Sequence, residues 1–439
     1  MKATLQDKSI PLHKRIWRAI IYGVGGAVGS RFLILLSGII ISRIVGKDAY
    51  GQFEHVNSTV TTFVTFSGLG MSATLTRFIA ANKEDKDKIG NITGTFGLIV
   101  GIFAVILSII MFVFARDISI LTTETDGLTS YFQIAAFIMI FASLSAILQS
   151  VLLGLESYRT SAVIELIRCL VYVVAAYFLT KQHGVTGAIF ALLIGFGLKF
   201  ILMLGANLYY FKKQEIKYSF SFPKEYQKIL LSFTIPAFIS SLFVIPINWV
   251  ANAMLIRSTS FDEMAIFSVA RQWMFIITYI PLQLSQMRPI YTDLYENKQY
   301  ETLFKTVRNT TLFTSAAVLL ISILGIVLAG PLLNLYGEGY DVGKTAFRIM
   351  MVVSFVIVTQ AQLGSIFETL KKMWVGLFLN VIWGSVLLIT FSQLTSEGSL
   401  GYAIAYLIAY GLHVILSYVI LFIIRRKENL YGNANLEME

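Results

Sequence analysis

Long apolar stretches recur from one end of the chain to the other, and short polar breaks separate them. At about 1.5 Å per residue, roughly 20 residues cover a bilayer core of about 30 Å, so each stretch predicts a membrane-crossing helix. The pattern predicts twelve spans, at 17–44, 51–80, 90–115, 129–154, 160–180, 184–209, 229–257, 262–291, 309–336, 343–369, 373–393 and 399–424. No break exceeds about 20 residues, so no soluble domain of useful size hangs from the bundle. The expected fold class is all-α and integral to the membrane.

Composition agrees with the pattern. The 439 residues are 56% hydrophobic and 14% charged, with mean hydropathy +0.72; soluble domains carry about 25% charged residues. A soluble enzyme, a nucleic-acid-binding protein and a secreted disulfide scaffold are excluded. The formal net charge of +10 belongs with basic residues crowded into cytoplasmic loops. The single cysteine, Cys169, lies in an apolar run, so neither an intramolecular disulfide nor a cysteine-based metal site is expected. Lys2, Lys8, Lys14, Arg15 and Arg18 lie before or at the start of the first apolar run, 17–44, which is too long for a cleavable leader and predicts a retained helix.

Charge placement orients the bundle. With an even number of spans, 23 of the 35 Lys and Arg fall on the side of the termini and 7 on the other. The remaining five, Arg31, Arg77, Arg168, Lys199 and Arg271, fall inside spans. The bias predicts that both termini are cytoplasmic.

The largest cytoplasmic break, 210–228, sits at mid-chain. An offset of 214 superposes Arg43, Asp48 and Phe53 on Arg257, Asp262 and Phe267, each triplet reading R-x4-D-x4-F at an external turn. A duplicated unit is expected, with six-helix bundles at 1–215 and 216–439. Six spans per half makes the halves parallel and places a cavity between two bundles. Helix breakers fall in corresponding helices: Gly25 and Gly29, at close-packing spacing, in the first, and Pro236 and Pro246 in the seventh. These are the expected hinges.

The stretch 44–80, IVGKDAYGQFEHVNSTVTTFVTFSGLGMSATLTRFIA, resembles the signature of polysaccharide flippases, with Gly46, Tyr50 and Gly51 at its first turn and Gly68, Leu69, Gly70 and Arg77 at its close. LLGLESYRTSAVIELIR, at 152–168, is similar to the helix 4–5 junction of that family. The resemblance is sharp over about the first 170 residues. It implies the multidrug/oligosaccharidyl-lipid/polysaccharide (MOP) exporter superfamily with its MATE-like fold, and within it the O-antigen-type (Wzx-like) flippases. It further implies an undecaprenyl-diphosphate-linked oligosaccharide as cargo, the bacterial inner membrane as location, and polysaccharide polymerase and ligase machinery as neighbours.

A charge near mid-membrane costs about 2.5–3.5 kcal/mol by insertion scales, so it faces a partner or a water-filled cavity. Arg31 lies roughly 21 Å along its helix from the inner interface and Arg271 roughly 15 Å from the outer one. A guanidinium bonds two phosphate oxygens at once and keeps its charge when buried, which suits a diphosphate in transit. The resembling flippases carry arginines in helices 1 and 8, which match Arg31 and Arg271. Lys199 and Arg168 extend this expected anion path toward the cytoplasm. Two alternatives stand beside it: Glu165, three residues before Arg168, makes a self-neutralising pair, and Lys199 snorkels to the interface.

No nucleotide-binding loop is present, no cofactor is expected, and any coupling is to H+ or Na+. Glu54, His55, Asp262 and Glu263, near external helix ends, are the coupling candidates; first-turn carboxylates also complement the helix dipole without further role. A multidrug exporter of the same superfamily is the nearest rival. It usually carries an acidic residue in helix 1 or 7, and 17–44 and 229–257 contain none. A membrane-embedded polymerase or sugar transferase needs a large catalytic loop, and the lysine-rich 210–228 does not look like one.

Overall fold

The computed structural model describes residues 12–68, 70–221, 244–284, 287–427 and 430. Among the described residues every regular element is helical and none is a strand. In chain order the first seven helices are α1 Leu12–Val45, α2 Lys47–Gly68, α3 Met71–Ala81, α4 Lys86–Val113, α5 Ala115–Thr123, α6 Thr129–Gly154 and α7 Tyr158–Gln214. Then come α8 Ile245–Ser258, α9 Phe261–Leu284, α10 Arg288–Glu296, α11 Tyr300–Val327 and α12 Ala329–Asn334. The series closes with α13 Lys344–Thr359, α14 Leu363–Thr369, α15 Met373–Gln393 and α16 Gly398–Lys427.

Eight stretches among the described residues are long and apolar enough to cross a membrane, and the 57-residue α7 has the length for two passes. It turns at Gly184, whose φ of 57° and ψ of −136° are non-helical, so the expected spans 160–180 and 184–209 are the arms of one antiparallel hairpin. Other expected spans are interrupted. The stretch 51–80 is two helices, α2 and α3, parted at Gly70 (φ 70°). The stretch 343–369 breaks into α13 and α14 around Gln360–Gln362. The stretch 262–291 is shared between α9 and α10.

Packing divides the chain into two compact units, Met1–Ala253 and Met254–Glu439. The division falls inside α8 rather than at the expected 215/216. Trp249 of α8 lies in the first unit and donates from Nε1 to Thr59 Oγ1 at 2.9 Å.

In the first unit, α6 packs against α2, α3, α4 and α7, and α1 lies along α7. The glycines that allow α1 this approach are Gly26, whose Cβ would fall 2.6 Å from Ala162 Cβ, and Gly29, 3.0 Å from Leu166 Cδ2. Gly25 faces open space, so the packing spacing is Gly26-x2-Gly29 rather than Gly25-x3-Gly29. A side-chain cap starts α4: Asp85 accepts from the Lys88 amide at 3.0 Å, which holds the Asp85 carboxyl below its ordinary value. The glycines of α4 receive a strap of extended chain. A Cβ at Gly90 would lie 1.9 Å from the Lys217 carbonyl oxygen and one at Gly94 2.3 Å from that of Ser219.

In the second unit, α13 packs against α9, α11 and α16, and α15 lies on α16. Its core is aromatic: the Phe267, Tyr402 and Phe391 rings stack at centroid spacings of 3.8 and 4.6 Å, and Tyr406 stands edge-on to Trp383. The outward faces of α4 and α11 are apolar and exposed, at Ile102, Val105, Ile106 and Ile109 in one and Leu320, Ile323, Leu324 and Val327 in the other. Water would leave such faces unstable; hydrocarbon suits them.

Candidate functional site: buried charge in each unit

Lys199 and Arg168 meet because the hairpin arms are of equal length. Arg168 stands 16 residues before Gly184 and Lys199 15 after it, so antiparallel arms bring both cations to one level, about 22–24 Å from the turn. Gly195 lets the arms close up there, since a Cβ on it would lie 3.4 Å from Tyr172 Cβ and 3.9 Å from Arg168 Cγ.

Between the cations sits Glu165. Arg168 donates to Glu165 Oε1 from Nε at 2.9 Å and from Nη2 at 2.6 Å, with its guanidinium 5.1 Å above the Phe196 ring. Lys199 Nζ lies 2.9 Å from Glu165 Oε2 but off the line of a hydrogen bond, and it donates instead to Gln149 Oε1 at 3.0 Å. Gln149 in turn donates to Ser161 Oγ at 3.1 Å. Arg168 is 5% exposed and Lys199 8%. The cluster thus holds two buried cations on one carboxylate, and Arg168 is held more tightly than Lys199. The expected Glu165–Arg168 pair is present. Lys199 shares that carboxylate, its side chain turned into the hairpin.

Arg31 is exposed on α1, while its neighbour Ser30 turns inward and donates to the Gly26 carbonyl at 2.8 Å. Glu54 is half-buried on α2. Beside it, His55 is fully buried, edge-on to Phe132 at 6.0 Å, and neither ring nitrogen has a hydrogen-bond partner among the described residues. It packs as an apolar ring.

In the second unit, Arg271 is half-buried on α9. Its guanidinium lies 5.6 Å from the Phe267 ring centroid and bonds the Tyr406 hydroxyl, so the aromatic core forms its setting. Asp262 and Glu263 occupy the first turn of α9. Glu263 serves the fold, because its Oε2 accepts from the Ser399 amide at 2.7 Å and caps the start of α16. Pro246 is the second residue of α8, where a missing N–H costs nothing. Pro236 lies outside the described residues.

The 214-residue offset holds far beyond one triplet. It carries α4 Lys86–Val113 onto α11 Tyr300–Val327, the start of α2 onto that of α9, and the start of α5 onto that of α12. It carries Gly184 onto Gly398, whose φ of 58° and ψ of −132° repeat the same rare conformation. Arg43 and Arg257 both end a helix, Asp48 and Asp262 both occupy the next first turn, and Phe53 and Phe267 are both buried. A second motif then emerges, G-x2-G-x3-A-x2-I-x2-G-L, at 184–198 and again at 398–412. The residue after it is Lys199 in one copy and His413 in the other. Sequence reading passed over His413 and Gln360, which it pairs with; the same offset applied to 184–199 would have found the histidine.

A family model described as "Polysaccharide biosynthesis protein" matches residues 16–286. The EPS I polysaccharide export inner membrane protein EpsE of Ralstonia nicotianae is 21% identical over 84% of each chain. Among solved structures, an inward-facing multidrug resistance MATE family transporter of the MOP superfamily aligns with TM-score 0.69 and 16% identity, over 90% of this chain and 96% of that one. A MOP superfamily transporter from Pyrococcus furiosus aligns with TM-score 0.67 and 18% identity, over 92% and 95%.

Proposed function

We propose that this chain, which belongs to the polysaccharide biosynthesis protein family and has the MATE-like fold of MOP transporters, is an inner-membrane flippase for a lipid-linked oligosaccharide. The cargo is a surface-polysaccharide repeat unit on undecaprenyl diphosphate, moved from the cytoplasmic to the outer leaflet by alternating access. The similarity to a polysaccharide export inner membrane protein supports both the location and the cargo class. The observation that carries the diphosphate is the excess of cation inside the spans: among the described residues, Arg168 and Lys199 share a single carboxylate, Glu165. A buried positive surplus is costly unless an anion visits it, and a lipid diphosphate brings charge of the right sign.

In this reading Lys199 is the exchangeable cation, because its bond to Glu165 is the weaker, while Arg168 stays pinned. Arg31 in the first half and Arg271 in the second are the mid-depth cations that this reading assigns to the diphosphate. Gly25 and Gly29 supply the bending of the first span, and Glu54 and Asp262 are the groups on which H+ or Na+ coupling would act. Polymerase and ligase machinery would take the cargo on the far side.

The test is depletion of the protein followed by extraction and mass analysis of undecaprenyl-linked lipids. A complete repeat unit should accumulate on its diphosphate carrier, and Arg31→Ala and Arg271→Ala should produce the same block. Unchanged lipids with altered sensitivity to cationic drugs would transfer the chain to multidrug export.

A further inference from the structure

The second unit carries a polar cluster inside an expected span that the anion path does not use. Where α13 gives way to α14, Gln360 turns toward α16, and His413 Nδ1 lies 2.5 Å from Gln360 Oε1, with Ser417 Oγ at 3.4 Å from the same atom. The amide oxygen only accepts, so Nδ1 carries the proton and Nε2 is left as an acceptor. Two atoms then remain unused. Gln360 Nε2, a donor, and His413 Nε2, an acceptor, bond no described residue, and neither is sealed from its surroundings. Rotating the amide exchanges the roles and still leaves one donor and one acceptor.

Polar side chains between membrane helices ordinarily saturate one another. This pair does not, and its free groups are neutral and complementary. A phosphate, which offers only acceptors, meets half of them; a hydroxyl, which donates and accepts, meets both. One turn before His413 on α16, Tyr410 is half-buried with its ring 5.2 Å from that of Trp383, an aromatic surface of the kind that the apolar face of a sugar ring covers. The break beside Gln360 is held by Tyr418, whose hydroxyl donates to the Thr359 carbonyl at 2.5 Å, and by Tyr291, which donates to Gln362 Oε1 at 3.0 Å. The position is the repeat-equivalent of Lys199, whose glutamine partner, Gln149, lies on the corresponding helix of the first copy.

We propose that Gln360 and His413 form a hydroxyl-binding subsite for the glycan of the cargo. The repeat-equivalent Lys199 stands beside a carboxylate and an arginine, whereas His413 stands beside neutral groups and aromatic rings, a setting for a sugar rather than a phosphate. The inference rests on the flippase reading.

The experiment measures binding of two probes to the full-length protein in nanodiscs: undecaprenyl diphosphate, and the same lipid carrying one N-acetylglucosamine. The sugar-bearing probe should bind about tenfold more tightly, the equivalent of one or two net hydrogen bonds. Gln360→Ala and His413→Phe should erase that difference and leave affinity for the bare lipid within twofold, whereas His413→Gln, which restores a donor and an acceptor, should keep it within threefold. Equal binding of the two probes by the wild type, discrimination that survives Gln360→Ala, or displacement of the sugar-bearing probe by excess phosphatidylglycerol would overturn the subsite alone. Binding of neither probe would overturn the diphosphate reading and the subsite with it.

Discussion

Glu165 shows how a single side chain sets the sign of a site. Its two oxygens serve two buried cations, but Arg168 takes two hydrogen bonds and Lys199 an off-line ion pair. Removing the carboxylate strands both cations in a low-dielectric interior, so Glu165→Gln should destabilise the protein by about 3–5 kcal/mol, read as a lowered melting temperature in lipid micelles. Lys199→Met removes the surplus charge and leaves the Glu165–Arg168 pair whole. It should cost about 1 kcal/mol or less, while abolishing binding of undecaprenyl diphosphate. A lysine that is purely structural would show the opposite ordering. The Glu165–Arg168 pair was legible in sequence because i,i+3 spacing on a helix is local. The approach of Lys199, 34 residues from Glu165, depended on where the hairpin turned.

At the scale of elements, the chain is built by repeating one series of helices, and its turns record the duplication most clearly. Gly184 and Gly398 hold a positive φ, with ψ of −136° and −132°, a region that residues with a Cβ avoid. Gly184→Ala should cost about 1–2 kcal/mol through backbone strain, since its Cβ meets open space. Gly398→Ala should cost more, because its Cβ would fall 2.6 Å from Glu263 Oε2, the oxygen that caps α16. Parallel thermal unfolding of the two variants checks the order. One repeat triplet was legible from residue identity, and the structure extends it to helix starts and turn conformations. The interruptions of 51–80 and 343–369 were not legible. Hydropathy averages over a window and sees no break when apolar residues flank it, although Gly68-Leu69-Gly70 held a local sign.

For the whole molecule, the distribution of basic residues predicts that the termini and the 210–228 segment face the cytoplasm. A chemical test is open because the native cysteine, Cys169, is buried. In a Cys169→Ser background, Lys213→Cys should react with an impermeant maleimide only in inverted vesicles. Arg116→Cys should react only from the outside, and the reverse labelling would invert the bundle. Sequence alone determined the membrane class, the helical fold, the repeat offset and the family, because each depends on sums over many residues or on local spacing. Length against bilayer thickness, hydropathy and charge bias do not require knowing which helix touches which. Tertiary structure decided the rest: that Gly26 and not Gly25 packs, that Glu263 caps a helix 136 residues away, that Lys199 shares Glu165, and that Gln360 and His413 together leave one donor and one acceptor without a described partner. Such pairings are settled by burial and by the direction of a few N–H bonds across packed helices, and nothing local in the chain encodes them.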